Sequence, residues 1–288
     1  MSFLTNSEFA VVQRFTQLLT EKIAALGLDM FVEHDFREFV RLRQAMSPKH
    51  ILNPTYHPDY CRLTAQDSFW IRVVDGDGRT VATVAKRVMD TVCFHDDLVS
   101  LRLWHDADCA SPAVQFRGIN CESARPMRGR IAHGGGLWIE PEWRKINLSG
   151  LLADYCRGLV LRMYGYDHLT AVMLDDLAST GIGTTRYGYP HIEGRIDVEF
   201  YRSGATSRLI FAHISKEESL DQMRAWLLFP ELNSLQALDQ FRKLDGNRAH
   251  HKFVDAPPVA REWQDQASVG PSQIIKARDN LMVERHAA

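Results

Sequence analysis

The stretch Ile139-Glu140-Pro141-Glu142-Trp143-Arg144-Lys145-Ile146-Asn147-Leu148-Ser149-Gly150 decides the fold, because an apolar strand-like run ends in it and an apolar-periodic helix begins. The first backbone N–H groups of such a helix have no carbonyl partner within the helix, and the helix dipole adds positive charge there. Ser149 and Gly150 are small enough for a ligand to approach, and Arg144 and Lys145 add basic charge. The stretch therefore predicts an anion site at a helix start.

Regular patterns on both sides extend this prediction. On the C-terminal side, Leu148–Tyr164 has apolar residues at helical spacing, and the apolar run His168–Leu174 predicts a buried strand. On the N-terminal side, residues 69–74 and 80–85 are strand-like and flank Asp75-Gly76-Asp77-Gly78, which is typical of a hairpin turn.

The N-terminal part of the chain predicts helices, and the C-terminal part predicts a strand pair followed by helical structure. Residues 7–46 have apolar side chains at helical spacing and are interrupted at Gly27, so they predict two helices. Residues 196–201 and 208–213 predict a second strand pair, and residues 217–243 predict at least one more helix after it.

The segment between the hairpin and the deciding stretch has weaker patterns. Residues 99–104 alternate between apolar and polar side chains, which predicts an inserted strand. Residues 106–126 predict a long loop, and a loop of that length in a compact domain usually covers a site or is disordered. Residues 93–130 are therefore interpreted as an insertion.

Composition limits the classes of function. The chain has 288 residues, 45% hydrophobic and 24% charged, with a net charge of −2, so bulk charge gives no reason to expect nucleic-acid binding. No apolar run reaches membrane-spanning length, and the N-terminus lacks a basic region followed by an apolar core. The five cysteines are scattered without a CxxC pair, which predicts reduced thiols in a cytoplasmic protein.

The order of predicted elements and the deciding stretch resemble the acyl-CoA N-acyltransferase (GNAT) superfamily. The family's signal is an apolar strand followed by Pro, then Arg or Gln, then x-x-Gly-x-Gly or Ala, and Ile139-x-Pro141-x-x-Arg144 matches its first part. Asn147 and Ser149 stand at the two glycine positions, and Gly150 falls one residue late. Gly188-Tyr189 is similar to a Gly-Phe pair that precedes the final strands in the family.

The resemblance covers residues 65–215 and, more loosely, residues 7–215. It implies an α+β fold with a mixed, mostly antiparallel sheet flanked by helices. We therefore expect an acyltransferase domain at residues 1–215 and a C-terminal helical extension with its tail at residues 216–288.

The resemblance also implies a binding site for acetyl-CoA or another acyl-CoA as co-substrate. Main-chain groups at the end of the strand and the start of the helix would hold it, with Arg144 reaching a phosphate. Side chains at Asn147 and Ser149 narrow this cradle, although asparagine tolerates unusual backbone angles. The expected binding residues are Leu137, Ile139, Arg144, Lys145, Ile146, Asn147, Leu148, Ser149 and Gly150.

Acyl transfer to an amine needs a donor for the oxyanion, a base and an acid. In the family the donor is a backbone N–H of the strand, which corresponds to Leu137 or Ile139. Glu140 is the first candidate base and His133 the second; the alternatives are an exposed turn carboxylate and a structural histidine. The family's usual tyrosine acid falls near Thr184, so Tyr187 and Tyr189 are the candidate substitutes; the alternative is that both only pack.

Two further groups of residues have alternative interpretations. Asp175 and Asp176 end the buried strand and either bind the amine or cap the next helix. Cys93-x-His95-Asp96-Asp97 and His105-Asp106-x-Asp108-Cys109 contain metal-ligand residue types, but their spacing matches no zinc pattern, so no metal is expected.

The sequence therefore predicts an N-acyltransferase that moves an acyl group from an acyl-CoA or acyl-carrier thioester to an amine. The alternative is a catalytically inactive acyl-CoA-binding or regulatory module on the same fold. The expected partners are a small-molecule or peptide amine and a second copy of the chain in a homodimer, with no nucleic acid and no membrane.

Overall fold

The computed structural model describes residues 3–47, 52–109, 114–200, 206–245 and 273–274. Helices and strands alternate in it irregularly. In chain order they are α1 (Asn6–Ala25), β1 (Asp29–Glu33), α2 (Phe36–Met46), β2 (Ser68–Val74), β3 (Thr80–Thr91), α3 (Phe94–Val99), β4 (Val114–Asn120), β5 (Gly129–Ile139), α4 (Leu148–Tyr164), β6 (His168–Leu174), α5 (Asp175–Ser179), α6 (Ile182–Thr185), β7 (His191–Phe200), β8 (Thr206–Ser215), α7 (Lys216–Leu228), α8 (Ser234–Asp245) and β9 (Gln273–Ile274).

The strands form one mixed sheet in the order β4-β7-β8-β6-β5-β3-β2-β1-β9. Among the described strands, β5 and β6 pair in parallel and all other neighbours are antiparallel. The predicted fold class, a mostly antiparallel sheet flanked by helices with helices at its C-terminal end, is confirmed. The parallel pair lies at the centre of the sheet, where α4 connects the two strands.

The sheet buries different helices on its two faces. On one face, α1, α4, α7 and α8 share a large core with the sheet, including Phe15, Leu152, Trp226 and Leu238. On the other face, Phe36 and Phe39 of α2 pack with Tyr56, Trp70 and Ala85 in a second cluster. A third cluster lies under α3 and contains Phe94, Leu98, Ile131, Ile196 and Phe211. We call the first two the α4 face and the α2 face.

Capping residues fix where α1 and α7 begin. Thr5 accepts a hydrogen bond from the N–H of Glu8, and the Glu8 carboxylate accepts one from the N–H of Thr5. Ser215 and Glu218 form the same reciprocal pair at the start of α7. Each capping box satisfies donors that the helix leaves unpaired, so the sequence sets these boundaries locally.

Several predicted elements are confirmed, and three are wrong. The helix at Leu148–Tyr164 and the strand at His168–Leu174 have the predicted bounds. The predicted strand at 99–104 lies instead at the end of α3 and in turns, with Leu101 at a φ of 66°. The predicted loop at 106–126 contains β4, and β1 lies where no strand was expected.

Helix α7 begins at Lys216, where the sequence places the start of the C-terminal extension. The predicted helical region 217–243 contains two helices, α7 and α8, which bury Met223, Trp226 and Leu238 in the core of the α4 face. The division into two domains stays a prediction, and the tail beyond residue 245 lies outside the described residues except for β9. None of the described helices has the length and apolar character needed to cross a bilayer.

Candidate functional site

The central parallel pair of strands separates before either strand ends. β5 and β6 are in register from Ile131 and His168 to Gly134 and Ala171. Beyond that point β5 continues along β3 to Ile139, and β6 continues along β8 to Leu174. The two strands therefore leave a V-shaped cleft between them, with its apex at Gly134 and Ala171.

Hydrogen bonds below the apex hold the two strands together. His133 Nδ1 lies 2.9 Å from Thr170 Oγ1, and the Tyr56 hydroxyl donates to the His133 carbonyl at 3.0 Å. His133 has no exposed surface. Burial, with a smaller contribution from the nearby cations Lys86 and Arg87, lowers its pKa to about 3. This placement favours a structural role for His133 over contact with an amine in the cleft.

Three consecutive glycines of β5 leave room for side chains that pack directly on the strand. A Cβ at any of these positions would meet a neighbouring side chain at less than van der Waals distance. The neighbours are Lys86 over Gly134, Tyr56 over Gly135, and Phe39 over Gly136. Lys86 thus lies at the apex of the cleft, 4% exposed, and burial lowers its pKa to about 8.

A β-bulge lies just above the apex. Gly136 and Leu137 together oppose the single residue Val84 of β3, since Thr83 pairs with Trp138 and Ala85 with Gly135. Gly136 has a φ of +61°, which glycine adopts without a steric cost. A bulge bends its strand and increases the local twist, so it helps to turn the end of β5 away from β6.

The end of β5 presents backbone groups to the open cleft. The N–H of Glu140 donates to Val81 of β3 at 2.9 Å. Because successive residues of a strand point their backbone groups to opposite sides, the N–H and carbonyl of Ile139 point away from β3. The N–H of Ile139 is therefore in position to stabilise an oxyanion in the cleft, and Leu137, also predicted for this role, lies in the bulge.

Arg144 folds back on the strand end instead of covering the start of α4. Its Nε donates to the carbonyl of Ile139 at 2.8 Å, and its Cζ lies 4.9 Å from the centre of the Trp138 ring. The side chain is exposed, so the terminal nitrogens remain accessible to a ligand. Arg144 therefore fixes the end of β5 and places a cation at the mouth of the cleft.

The helix start is partly closed by the residues that replace glycine. Asn147 has a φ of 59°, as expected for asparagine in a loop built for glycine, and its side chain lies over Gly150. The carbonyl of Arg186 lies on the same glycine. The N–H groups of Gly150 and Leu151 donate to the carbonyl of Asn147 at 3.1 and 3.2 Å.

The backbone donors at this corner are therefore fewer than the sequence predicts. The N–H of Gly150 is used inside the helix, whereas those of Leu148 and Ser149 precede the first complete helical turn and have no acceptor within α4. The side chains of Lys145 and Ile146 are exposed on the adjoining 3₁₀ helix Pro141–Ile146.

A small cavity of about 110 Å³ adjoins the start of α4. Asn147 and Gly150 line it together with two basic residues, Lys22 and Arg186, and with the buried acid Asp154. A larger hollow of about 300 Å³ lies beside α2, away from the cleft, and is open to solvent. We place the candidate site at the smaller cavity, which Asn147 and Gly150 line at the start of α4, and at the cleft between β5 and β6.

Glu140 lies at the end of β5, half-buried, where the strand becomes the 3₁₀ helix. It interacts electrostatically with Arg43 of α2. Burial lowers the pKa of Arg43 to about 10, and the Glu140 carboxylate opposes that shift. Among the predicted bases, Glu140 is the one that the fold places at the mouth of the cleft.

Tyr187 follows α6 and is half-buried against the core of the α4 face. Burial raises its pKa, so the phenol keeps its proton at neutral pH, and its carbonyl accepts a hydrogen bond from buried Arg157. Thr184, at the family's usual tyrosine position, is exposed. Tyr187 has the protonation state required of an acid, although packing holds its ring.

The two aspartates at the end of β6 already have partners. Asp175 accepts from Arg208 at 3.2 Å, and Asp176 accepts from the N–H of Leu177 at 2.8 Å inside α5. Both lie at the open end of the cleft, next to Leu174. Neither aspartate caps α5, because Leu174 is its N-cap and accepts no side-chain bond; both lie in the first turn, where a carboxylate interacts favourably with the helix dipole.

The segments with metal-ligand residue types contain paired acids. Asp106 accepts from Arg87 at 2.7 Å, and Asp97 accepts from Arg102 at 2.9 Å. Within the residues that the structure describes, no three His, Cys, Asp or Glu side chains are grouped so that they would hold a metal ion.

Sequence reasoning missed the residues that approach the cleft from other elements. Lys86 lies in a strand, Arg43 in a helix, and Trp138 in the strand end itself. The run Val84-Ala85-Lys86-Arg87-Val88 gave one signal, because two adjacent cations interrupt an otherwise apolar strand. Nothing local marks Arg43, since its surroundings come from β5, about 95 residues away.

Comparison with known proteins identifies similar structures but no similar sequences. No protein-family profile matches this sequence, and no curated protein matches it. Arabidopsis thaliana NAA60 in complex with acetyl-CoA superimposes with a TM-score of 0.43 at 9% identity, covering 66% of this chain and 99% of that one. A GCN5-related N-acetyltransferase from Brucella melitensis gives a TM-score of 0.42 at 9% identity, covering 73% and 91%.

Spermidine N-acetyltransferase from Vibrio cholerae gives a TM-score of 0.41 at 9% identity, covering 67% of this chain and 95% of that one. Such low scores and identities carry no conclusion about activity, coenzyme or acceptor. The chain's own topology is more informative: two helices and a hairpin precede the split parallel pair, α4 connects that pair, and a final antiparallel pair follows. This strand order and pairing agree with the fold that the resemblance to the acyl-CoA N-acyltransferase superfamily implies.

Proposed function

We propose that this protein is an N-acyltransferase that moves an acyl group from a coenzyme A thioester to an amine. The observation that carries the proposal is the loss of pairing between β5 and β6 after Gly134 and Ala171, while both strands continue in the sheet. An extended arm that contains amide groups fits such a gap, because it can pair with the backbone of the strand edge.

The proposed coenzyme site uses the elements around this gap. The diphosphate lies at the start of α4, near the N–H groups of Leu148 and Ser149 and the cations of Arg144 and Lys145. The arm then passes between the strands towards Gly134. This site includes fewer backbone donors than a glycine-rich loop offers, because Asn147 covers Gly150.

The chemistry follows from the groups at the strand end. Glu140 removes a proton from the acceptor ammonium, and the amine nitrogen attacks the thioester carbon. The N–H of Ile139 donates to the oxyanion while the tetrahedral intermediate exists. The C–S bond then breaks, and the leaving thiolate takes a proton from Tyr187, which burial keeps protonated. The nitrogen gives up the second proton of the original ammonium, and this proton passes through solvent to restore the Tyr187 phenol.

The second candidate is a binding module without catalysis. Asn147 and Ser149 at the glycine positions, and exposed Thr184 at the expected position of the acid, favour it. Both candidates place the coenzyme in the same cleft, so they differ only in turnover.

Calorimetry with acetyl-CoA and an assay of thiol release over a panel of amines distinguish the candidates. We expect binding and turnover in the full chain, and a loss of turnover of about 10²-fold or more in Glu140→Gln without a change in coenzyme affinity. Glu142→Gln is the matched control, because Glu142 is two residues away, exposed and paired with Arg79. Binding without turnover of any amine supports the module, and the absence of both contradicts both candidates.

A further inference from the structure

Arg43 is a buried cation with unused hydrogen-bond donors. The residue is 9% exposed, and its Nε and Nη1 have no hydrogen-bond partner among the residues that the structure describes. A buried donor that has lost its hydrogen bonds to water and gained none in the protein destabilises the fold. The cost in free energy is larger when the donor group is charged. Such a group in a folded protein calls for an explanation, and a bound anion is one.

Contacts fix where this guanidinium lies. Its Cζ is 5.0 Å from the centre of the Trp138 ring, at the end of β5. The same helix buries Phe39 against Gly136, which is part of the bulge above the apex of the cleft. A cation–π contact uses the face of the guanidinium and leaves its in-plane N–H groups available for hydrogen bonds.

The nearest carboxylate does not neutralise Arg43. Glu140 interacts with it electrostatically, but the two side chains form neither a hydrogen bond nor a direct ion pair. Glu140 lies two residues after Trp138 in extended backbone that still pairs with β3, and residues with this spacing point to the same face of a strand. The cation on Trp138 and the carboxylate therefore lie on the same side of the strand end. Such a pair suits a ligand that carries both charges, with its anion on Arg43 and its cation on Glu140.

We propose that Arg43 and Glu140 together bind an acceptor amine that also carries a carboxylate near its nitrogen, such as a free α-amino acid. The inference rests on the proposed function, in which Glu140 is the base for the amine. The guanidinium of Arg43 holds the acceptor carboxylate and places the ammonium beside Glu140, at the end of the cleft where the thioester carbon lies.

The two faces of the sheet favour the acceptor over the coenzyme as the source of the anion. The side chain of Trp138 lies on the α2 face, where Arg43 of α2 contacts its ring. The side chain of the next residue, Ile139, belongs to the core of the α4 face. The helix start that would hold the diphosphate belongs to α4 as well. Arg43 therefore reaches the strand end from α2, whereas Arg144, which contacts the same Trp138 ring, belongs to the 3₁₀ helix that leads into α4.

The test compares free L-amino acids with their α-carboxamides, which keep the amine and lose the carboxylate. We expect the full chain to favour the acids by about tenfold or more in kcat/KM, and Arg43→Gln to remove that preference, since a charge-assisted hydrogen bond of about 1.5–3 kcal/mol is lost. Arg41→Gln, exposed on the same helix and paired with Glu38, should keep the preference. Arg43→Lys, which keeps a charge without the planar fork, should retain part of it.

Two binding measurements separate the sources of the anion and the two proposals. Calorimetry with acetyl-CoA should give the same affinity for the full chain and Arg43→Gln; a loss of tenfold or more assigns Arg43 to a coenzyme phosphate and overturns the inference. Calorimetry with the amino acids should show binding that depends on Arg43. If that binding persists without turnover, the inference stands and the acyltransferase proposal fails; equal use or binding of acids and amides overturns the inference.

Discussion

Gly134 and Ala171 form the last pair between the two parallel strands at the centre of the sheet. Five residues of β5 and three of β6 continue beyond them, each supported only by its outer neighbour. Unpaired strand edges inside a sheet are costly unless another chain or a ligand pairs with them. The split therefore fits a ligand with an extended backbone-like arm.

Arg144 should contribute to coenzyme binding more than to folding. We expect Arg144→Glu to weaken the affinity for acetyl-CoA by about tenfold or more, because a charge-assisted hydrogen bond of about 1.5–3 kcal/mol is lost and repulsion is added. Calorimetry measures this change, and Arg14→Glu on the exposed side of α1 is the control. An unchanged affinity in Arg144→Glu contradicts the assignment.

Asn147 should limit the affinity of the site. Asn147→Gly removes the side chain that covers Gly150 and keeps a backbone with positive φ, so we expect acetyl-CoA to bind about threefold more tightly. Asn147→Asp is the matched control: it has the same shape and also tolerates this backbone, but its charge should weaken binding. If both variants bind like the natural chain, the diphosphate does not lie at this corner.

Lys86 should make stability depend on pH in the alkaline range. The pKa of Lys86 is about 8 in the folded protein, against an ordinary 10.5. Below pH 8 the lysine is therefore protonated in both the folded and the unfolded state, and burial of the charge destabilises the folded state. Between about pH 8 and 10.5 Lys86 loses its proton in the folded state before it does so in the unfolded state. The penalty for a buried charge then disappears, so the free energy of unfolding rises with pH.

Lys86→Met removes this penalty. The variant should therefore be more stable than the natural chain at pH 7 by about 3 kcal/mol, and the difference should shrink towards pH 10. Urea unfolding at pH 7 and pH 9.5 measures it, with Lys145→Met as an exposed control. A difference that does not change with pH would show that Lys86 is not buried as a cation.

Arg157 connects α4 to the C-terminal helices through a buried network. It donates to Asp154 at 3.1 Å, to Gln222 of α7 at 2.6 Å and to the Tyr187 carbonyl, and Ser234 of α8 donates to Asp154 at 2.6 Å. Burial raises the pKa of Asp154, and Arg157 opposes that shift.

We expect Arg157→Met to lower the unfolding free energy by about 3–5 kcal/mol, because it leaves the Asp154 carboxyl buried without its cation. The double variant with Asp154→Leu should lose less than the sum of the single variants. Urea unfolding of the four proteins gives the coupling energy. Additive losses would mean that the two side chains do not act as a pair.

Local patterns predicted the parts of the fold that depend on local physics. The bounds of α4 follow from its apolar period and from Gly165 at its end, and β6 is an apolar run between polar residues. β1 and β4 escaped prediction because each is held by pairing with a distant strand. β4 is an edge strand with partly exposed side chains, its short apolar–polar alternation is interrupted at Gly118, and its partner β7 is about 80 residues away.

The sequence predicted the part of the site that lies in one continuous segment, but not the residues that other elements contribute to it. The motif located the strand end, the helix start and Glu140, and the positive φ of Asn147 agrees with its place in a glycine loop. Other elements contribute the residues that surround this segment. They are Arg43 from α2, the carbonyl of Arg186 from the loop after α6, and Lys86 from β3. Pairings of this kind depend on tertiary packing, which one sequence does not encode as a local pattern.

The central claim is that a coenzyme arm lies between β5 and β6, with its diphosphate at the start of α4. Hydrogen–deuterium exchange of the full chain with and without acetyl-CoA tests it directly. We predict slower exchange at residues 135–139 and 147–151 when acetyl-CoA is present, and unchanged exchange in the hairpin turn at residues 75–79. Saturating acetyl-CoA that leaves exchange at residues 135–139 unchanged would contradict the account.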